Sequence, residues 1–426
     1  MNLKPGLLIS TLFPVLLFGI LSSCRIDDPG NALDDYSDRS SPTVTETSPS
    51  DGQTAVNVHL QRSIEVIFSE EMDDSSFWNE SIHLSDGSTD ISGLVSYSDK
   101  TASFDPSGDL LLNTHYTVTA RSGVEDIADN VLQSDYVWSF NTLTVIPLPE
   151  TGQEFSYTAT YGEDGDYTIN PLSYTNHGDG TVSDNLTGLM WQQEDDNTTP
   201  NWSSASTSCA SLLLAGYTDW RLPAIWELLG LADYETAPPE AIDTIFTNAD
   251  AAAYWTSTTA DWNTSFRWIV GFGDGSAGAV LNTNPSFFRC VRKNQLAGPD
   301  LYDHLDGTIL NKTNGLVWQQ EEGGTMDWEA ALSYCENLEL AQRDDWRLPN
   351  VKELQSLIDH TANTPALDTV FFPGVNSAEY WTSTTSEAVT ARAWIVNFST
   401  GLVSESGGNN GDKVNSNYVR CVRAGQ

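Results

Sequence analysis

Cysteine has the widest chemical reach in this chain, as nucleophile, metal ligand, redox partner or acylation site. There are five: Cys24, Cys209, Cys290, Cys335 and Cys421. Their spacing narrows the choice. No CxxC occurs, and no His is placed to complete a tetrahedral zinc site. The last four fall in matched surroundings. Cys209 and Cys335 each follow a Trp by seven residues, and Cys290 and Cys421 each sit in RCVR. The simplest pairing is therefore Cys209–Cys290 and Cys335–Cys421. Each bridge would close a loop of roughly 80–90 residues and contribute about 4–5 kcal/mol in the chain-entropy picture. Disulfides persist in oxidising compartments, so this pairing implies export.

The matched surroundings belong to a duplication. DGTVSDNLTGLMWQQE from Asp179 returns as DGTILNKTNGLVWQQE from Asp306, an offset of 127. DWRLP at Asp219 returns at Asp345 and YWTSTT at Tyr254 returns at Tyr380, both offset by 126, and RCVR at Arg289 returns at Arg420, offset by 131. A period this long is a whole domain repeated in tandem, not a solenoid of 20 to 50 residues. The remaining cysteine lies behind a short basic start (Lys4) and an apolar run from Leu7 to Leu21. The run is short for a membrane span, which needs roughly 20 residues, and it reads as a signal peptide. LSSC before the cut resembles the bacterial lipobox, which implies a lipidated Cys24 at the mature N-terminus. Arg25 follows where Asp would favour the inner membrane, so an outer-membrane lipoprotein is expected.

Composition excludes some partners. The formal charge is −40, from 59 acidic and 19 basic residues. Such a chain repels nucleic acid and anionic polymers. Its carboxylates offer oxygen ligands to Ca²⁺, but no DxDxDG loop is present. A solvated acidic surface is the expectation, and no cofactor is implied.

The elements that must position these residues fall into three blocks. From 41 to 145, SIEVIFSEEMD, LLLNTHYTVTA and YVWSFNT alternate with period two between DG and DPSGD turns. Ile64, Val66, Phe68, Tyr116, Val118, Trp138 and Phe140 form the inward set of an all-β sandwich. Residues 1–23 are the signal peptide, 24–40 a polar tether, and 146–172 a linker entered through a stiff Val145–Pro149 connector. The copies span 173–296 and 300–424. Each predicts a DGT turn, a strand ending in Trp191 or Trp318, and a helix carrying the first cysteine (203–214 and 328–338). WRLP follows, with its Pro opening a second helix (224–232 and 351–358). The last elements are the YWTSTT strand, a second strand through Trp268 or Trp394, and a final RCVR strand. Two early helices followed by short strands make an α+β domain.

The first block resembles the SbsA-type bacterial Ig-like domain, through Ser48–Gly52, Phe68–Asp73, Phe104–Pro106, Asp126–Asn130 and Trp138–Thr142. That family's domains usually serve as spacers or stalks. DGTV…TGLxW, DWRLPxxxEL, YWTSTT, W-[IV]-V-x-F and VRCVR resemble the C-terminal domain family of the Legionella collagen-like protein, Lcl, over nearly all of both copies. The resemblance implies exported or surface proteins, an architecture similar to the C-type lectin-like fold, and adhesion through sulfated glycosaminoglycans. Sulfated polysaccharide needs cationic contacts, and these copies are acidic. The calcium-dependent sugar motifs of C-type lectins are absent.

Individual residues carry the expectations further. Ten Trp pair across the copies (191/318, 202/328, 220/346, 255/381, 268/394) and are expected in the core. Arg221 and Arg347 should pair with Glu227 and Glu353, while His177 and His304 should stabilise the DGT turns. Asp126 and Asp129 read as a simple turn before a calcium site. Asp261-Trp262-Asn263, an aromatic flanked by polar groups in a loop, suits a sugar face or is merely exposed. The Gly/Asn-rich insert 406–417, with Asn409, Asn410 and Lys413, is a loop of the kind that carries specificity. No GxSxG, HExxH, P-loop or dinucleotide fingerprint occurs. The expectation is a lipid-anchored, non-catalytic protein presenting two lectin-like domains to a glycan or cell surface. The alternative is an envelope assembly lipoprotein whose repeats bind other envelope proteins.

Overall fold

The computed structural model describes residues 38–58, 63–235, 241–260, 262–405 and 411–423. The chain divides after Ser40, and the body described below begins at Ser41. Cys24 and the tether up to residue 37 lie outside the described residues, as do Asp261, Asn409 and Asn410. No described helix is long and apolar enough to cross a membrane.

The first block is the expected sandwich. One sheet orders Val44–Ser48, Ile64–Phe68, Thr101–Pro106 and Gly93–Ser98; the other orders Gln53–Val56, Tyr136–Thr142, His115–Ala120, Ile82–Ser85 and Asp90–Ile91. The predicted inward residues are all buried between the sheets. Trp138, whose indole N–H must find a partner when buried, donates to Pro49 O at 3.0 Å. Asp126 closes a turn by accepting from Ala128 N and Asn130 N at 2.7 and 2.9 Å. The sandwich docks on the second copy through Asp109, which meets Arg343 and Arg423.

Each copy opens with the same four-stranded sheet. In copy one it orders Tyr174–Asn176, Thr181–Asp184, Met190–Gln192 and Val291–Arg292; in copy two, Leu301–Asp303, Thr308–Asn311, Val317–Gln319 and Val422–Arg423. The DGT turns carry their histidines as expected: His177 Nε2 lies 2.8 Å from Ser183 Oγ and His304 Nδ1 2.8 Å from Thr308 Oγ1.

The helices are shorter than the sequence predicts, and the copies are mostly β. α1 spans Trp202–Ala210, α2 Ile225–Gly230, α3 Trp328–Glu336 and α4 Val351–Gln355. α1 and α3 begin at side-chain caps, Asn201 and Asp327. They end early because the chain reverses through residues with positive φ, Ala215–Gly216 in one copy and Ala341–Gln342 in the other. The prolines of WRLP do not open the second helices. The caps are Ala224 and Asn350, one residue later. The third helical residue explains the shift: Glu227 and Glu353 accept from the cap residue's own N–H at 2.7 and 2.9 Å, and a proline has no N–H to offer.

The two copies are not beads on a string. One eight-stranded sheet runs through both, in the order Ala253–Thr259, Phe266–Gly271, Ala277–Leu281, Val403–Ser404, Ala393–Asn397, Glu379–Thr385, Asn417–Tyr418 and Thr325–Met326. The junction is Ala277 paired antiparallel with Val403. These positions are 126 apart, so each is the other's counterpart. That is the signature of a two-fold, self-complementary contact, made here inside one chain. The flanking residues obey the same symmetry. Trp268 packs edge-on against His360 of copy two at 4.8 Å, and Trp394 packs edge-on against Tyr234 of copy one at 5.0 Å. His360 is the counterpart of Tyr234 by the same offset. A single buried cluster holds Trp191, Leu228, Tyr254 and Trp268 with Trp318, Leu354, Tyr380 and Trp394.

Candidate functional site

The predicted disulfides are both present, Cys209–Cys290 and Cys335–Cys421, with sequence separations of 81 and 86. Each joins the first helix of a copy to the residue before its final strand. Nine of the ten paired Trp are buried, while Trp202 is half-exposed. Arg221 and Glu227 pair at 2.7 and 2.8 Å, and Arg347 and Glu353 at 2.6 and 2.5 Å. A second buried motif repeats. Asp195 accepts from Tyr254 Oη at 2.6 Å with Arg289 at 3.5 Å. Glu322 takes the same place between Tyr380 and Arg420. These groups hold loops together, and Arg289 and Arg420 also cap the carbonyls of Gln192 and Gln319.

The segment 146–172, expected as a linker, is instead a strap across copy two. Glu163 is fully buried and accepts from Ser156 Oγ, Tyr157 N and Thr158 N. It also meets Thr385 Oγ1. Asp164 Oδ2 accepts from Thr151 Oγ1 at 2.7 Å and Thr384 Oγ1 at 2.6 Å. The Gln153 amide pairs both ways with the Thr385 backbone, at 3.2 and 3.1 Å. Gly165 is required here, since a Cβ would stand 2.4 Å from Phe155 O. Lys352, also buried, donates to Glu150 O of the strap at 2.7 Å and to Gly230 O at the end of α2 at 3.0 Å. The segment has no period and few apolar residues, so nothing in it signals a folded element. The one cue is its acidic cluster Glu163-Asp164-Gly165-Asp166.

Burial pushes the Asp164 carboxyl up to about 7, against the bonds from Thr384 and Thr151 that favour its charged form. Burial also lowers Lys352 to about 7 and His360 to about 3. An acid raised in the folded state is stabilising while protonated. Its contribution is lost as pH rises from its unfolded value near 4 through about 7. Asp164→Asn is therefore expected to stabilise the protein by about 2–4 kcal/mol at pH 7.5 and to change nothing at pH 4. Urea unfolding at the two pH values checks this.

The residues predicted to bind ligand separate. Trp262 is 43% exposed and lies 5.2 Å from Phe266, and Asn263 builds the turn that carries it, accepting from Phe266 N at 2.8 Å. Lys413 does not face outward with the insert. Its Nζ lies 3.6 Å over the Trp328 ring, 2.7 Å from Thr385 Oγ1 and 4.0 Å from Glu163. A further site emerges where the copies meet. A cleft of about 460 Å³ is lined by Trp226, Asp300, Asp359, Asp368 and Phe371, among others. Asp359 and Asp368 each use Oδ1 in a local turn, accepting from Thr361 N and Val370 N. Trp226 anchors to Leu296 O at 3.0 Å. Trp226 has no Trp counterpart in copy two, which the sequence shows; its place in the cleft has no signal there.

A sandwich followed by two disulfide-tied, mostly β copies defines a modular β-rich protein. The family model for the Lcl C-terminal domain matches residues 180–292 and 307–423, and that for a bacterial Ig-like domain matches 38–142. The chain belongs to the Lcl C-terminal domain family. A search of curated proteins finds no match. Solved structures give distant likenesses. The N-terminal part of the bacterial S-layer protein SbsC is 17% identical over 35% of this chain and 33% of its own, with a TM-score of 0.19. A Mycobacterium smegmatis L,D-transpeptidase is 14% identical over 39% and 67%, with a TM-score of 0.18. Escherichia coli alpha-2-macroglobulin, over domains MG0-NIE-MG1, is 12% identical over 70% and 86%, with a TM-score of 0.21. The chain spans about a third of the SbsC fragment's length, and scores this low carry no argument.

Proposed function

We propose that this is an exported, lipid-anchored surface protein that binds glycans or cell surfaces without catalysis. Cys24 is the acylated residue and the outer membrane its address. The Ig-like sandwich is the stalk, and the two copies form one C-type lectin-like binding head. The cleft between the copies supports this reading most directly. An indole and a phenyl ring offer apolar faces to sugar C–H groups, and three carboxylates, that of Asp300 paired with Lys312 at 2.9 Å, offer acceptors to hydroxyls. The same carboxylates disfavour sulfated polymers and favour neutral or amino sugars. A glycan array run on the full chain, with and without Ca²⁺, is expected to show saturable binding to neutral or amino-sugar glycans. Trp226→Ala is expected to weaken that binding at least tenfold. Binding confined to sulfated glycans, or indifferent to Trp226, would reject the cleft, and the absence of any glycan binding would reject the function.

A further inference from the structure

The duplication produced two equivalent platforms, and the described residues lay a strap over only one. Their frameworks match bond for bond. Trp202 Nε1 donates to Thr256 O and Trp328 Nε1 to Thr382 O, both at 2.8 Å. Ile225 N donates to Thr258 Oγ1 and Val351 N to Thr384 Oγ1, both at 3.0 Å. Each Trp carries a cation on its face: Lys413 Nζ at 3.6 Å over Trp328, and Arg267 Cζ at 4.3 Å over Trp202. These cations are not counterparts. Position 126 after Arg267 is Ala393, and Lys413 matches Asn282, because Trp202 N and Trp328 N donate to Asn282 O and Lys413 O at 3.0 Å each. The same charge therefore reaches the same place by two routes.

What differs is the cover. In copy two the strap seats Glu163 against Lys413 and Thr385, and residues 383–386 are at most 1% exposed. In copy one Ser257, Thr258 and Thr259 are half-exposed. Arg267 makes no ion pair among the described residues; its Nη1 donates to Thr264 O and Phe266 O, and its Nε is buried without a partner. The segment joining the copies supplies no second strap. It folds back on α2, with Leu296 N donating to Glu227 at 2.8 Å and Leu296 O accepting from Trp226.

We infer that the copy-one platform of Trp202, Ser257, Thr258 and Arg267 is a docking site for an extended acidic peptide segment of another protein. A carboxylate of that segment sits on Arg267 as Glu163 sits on Lys413. This goes beyond glycan recognition and uses a different surface from the Trp226 cleft.

The chain's own strap is the probe. A fluorescent peptide of sequence TGQEFSYTATYGEDGDY (residues 151–167) is titrated into the full chain at 0.15 M salt, where repulsion from the distant acidic surface is screened beyond about 8 Å. One saturable site is expected. Arg267→Glu should weaken it at least tenfold and Arg267→Lys less than threefold. A peptide carrying Glu163→Gln should bind at least tenfold more weakly. Hydrogen exchange should slow at 254–259 and not at 380–385. Trp226→Ala should leave peptide binding unchanged, so failure here and failure of the glycan cleft are told apart. No binding at millimolar peptide, binding indifferent to Arg267→Glu, or protection appearing at 380–385 would each overturn the inference.

Discussion

Glu353→Ala is expected to destabilise the protein by about 3–5 kcal/mol, and Glu227→Ala, the same change in the other copy, by about 1–3 kcal/mol. Both glutamates are buried and both cap the N-terminus of their helix, so the cap lost is the same. Glu227 loses one bond more, from Leu296 N at 2.8 Å, but the larger difference lies in the arginine left behind. Arg347 is 6% exposed and lies near the Tyr167 ring of the strap, whereas Arg221 is 24% exposed and keeps bonds to Lys293 O and Leu222 O. A stranded buried charge costs several kcal/mol, while one in reach of water relaxes. Urea midpoints of the two variants check the ordering, and equal losses would mean that the strap does not seal copy two.

Removing either disulfide should have an effect of the same size. Cys335→Ala with Cys421→Ala opens a loop of 86 residues, and Cys209→Ala with Cys290→Ala one of 81. Each loss is expected to cost about 4–5 kcal/mol. Because the copies share one apolar cluster, either loss should shift a single transition instead of releasing one copy early. Calorimetry of the two double variants reads this directly, and the appearance of a second, lower transition in either would contradict it.

Much of this arrangement is legible in the sequence. Sulfur pairing, the Trp core, the Arg–Glu pairs and the sandwich strands all follow from local rules: matched spacing, period-two alternation and helix-cap chemistry. Residues such as Cys209, Trp255 and Glu227 declare themselves because the second copy repeats them. What has no local signature is whatever breaks the symmetry or crosses it. Trp226 stands opposite Lys352, and Arg267 opposite Ala393, so comparing copies hides both. The strap is polar and aperiodic, and its burial depends on side-chain bonds to Thr384 and Thr385 more than two hundred residues away. The shared sheet rests on one Ala277–Val403 contact and two exchanged rings, features with no local signature. The helices fall short of their apolar pattern for a related reason. Apolar residues at 212–214 suit a helix, but the reversal at Ala215–Gly216 ends it first.

The cleft proposed to take glycan exists only if the copies interlock, since Trp226 comes from one and Asp359 and Phe371 from the other. Trp268 is the residue on which that interlock can be tested. It is buried in copy one, packs edge-on against His360 of copy two and donates to its carbonyl at 3.0 Å. Hydrogen exchange of the full chain with Trp268→Ala, a change worth about 3–5 kcal/mol, should show protection falling by the same factor at 266–271 and at 351–355 and 393–397. Loss confined to the first stretch, with copy two exchanging as in the unmodified protein, would show the copies to be independent and the shared head to be wrong.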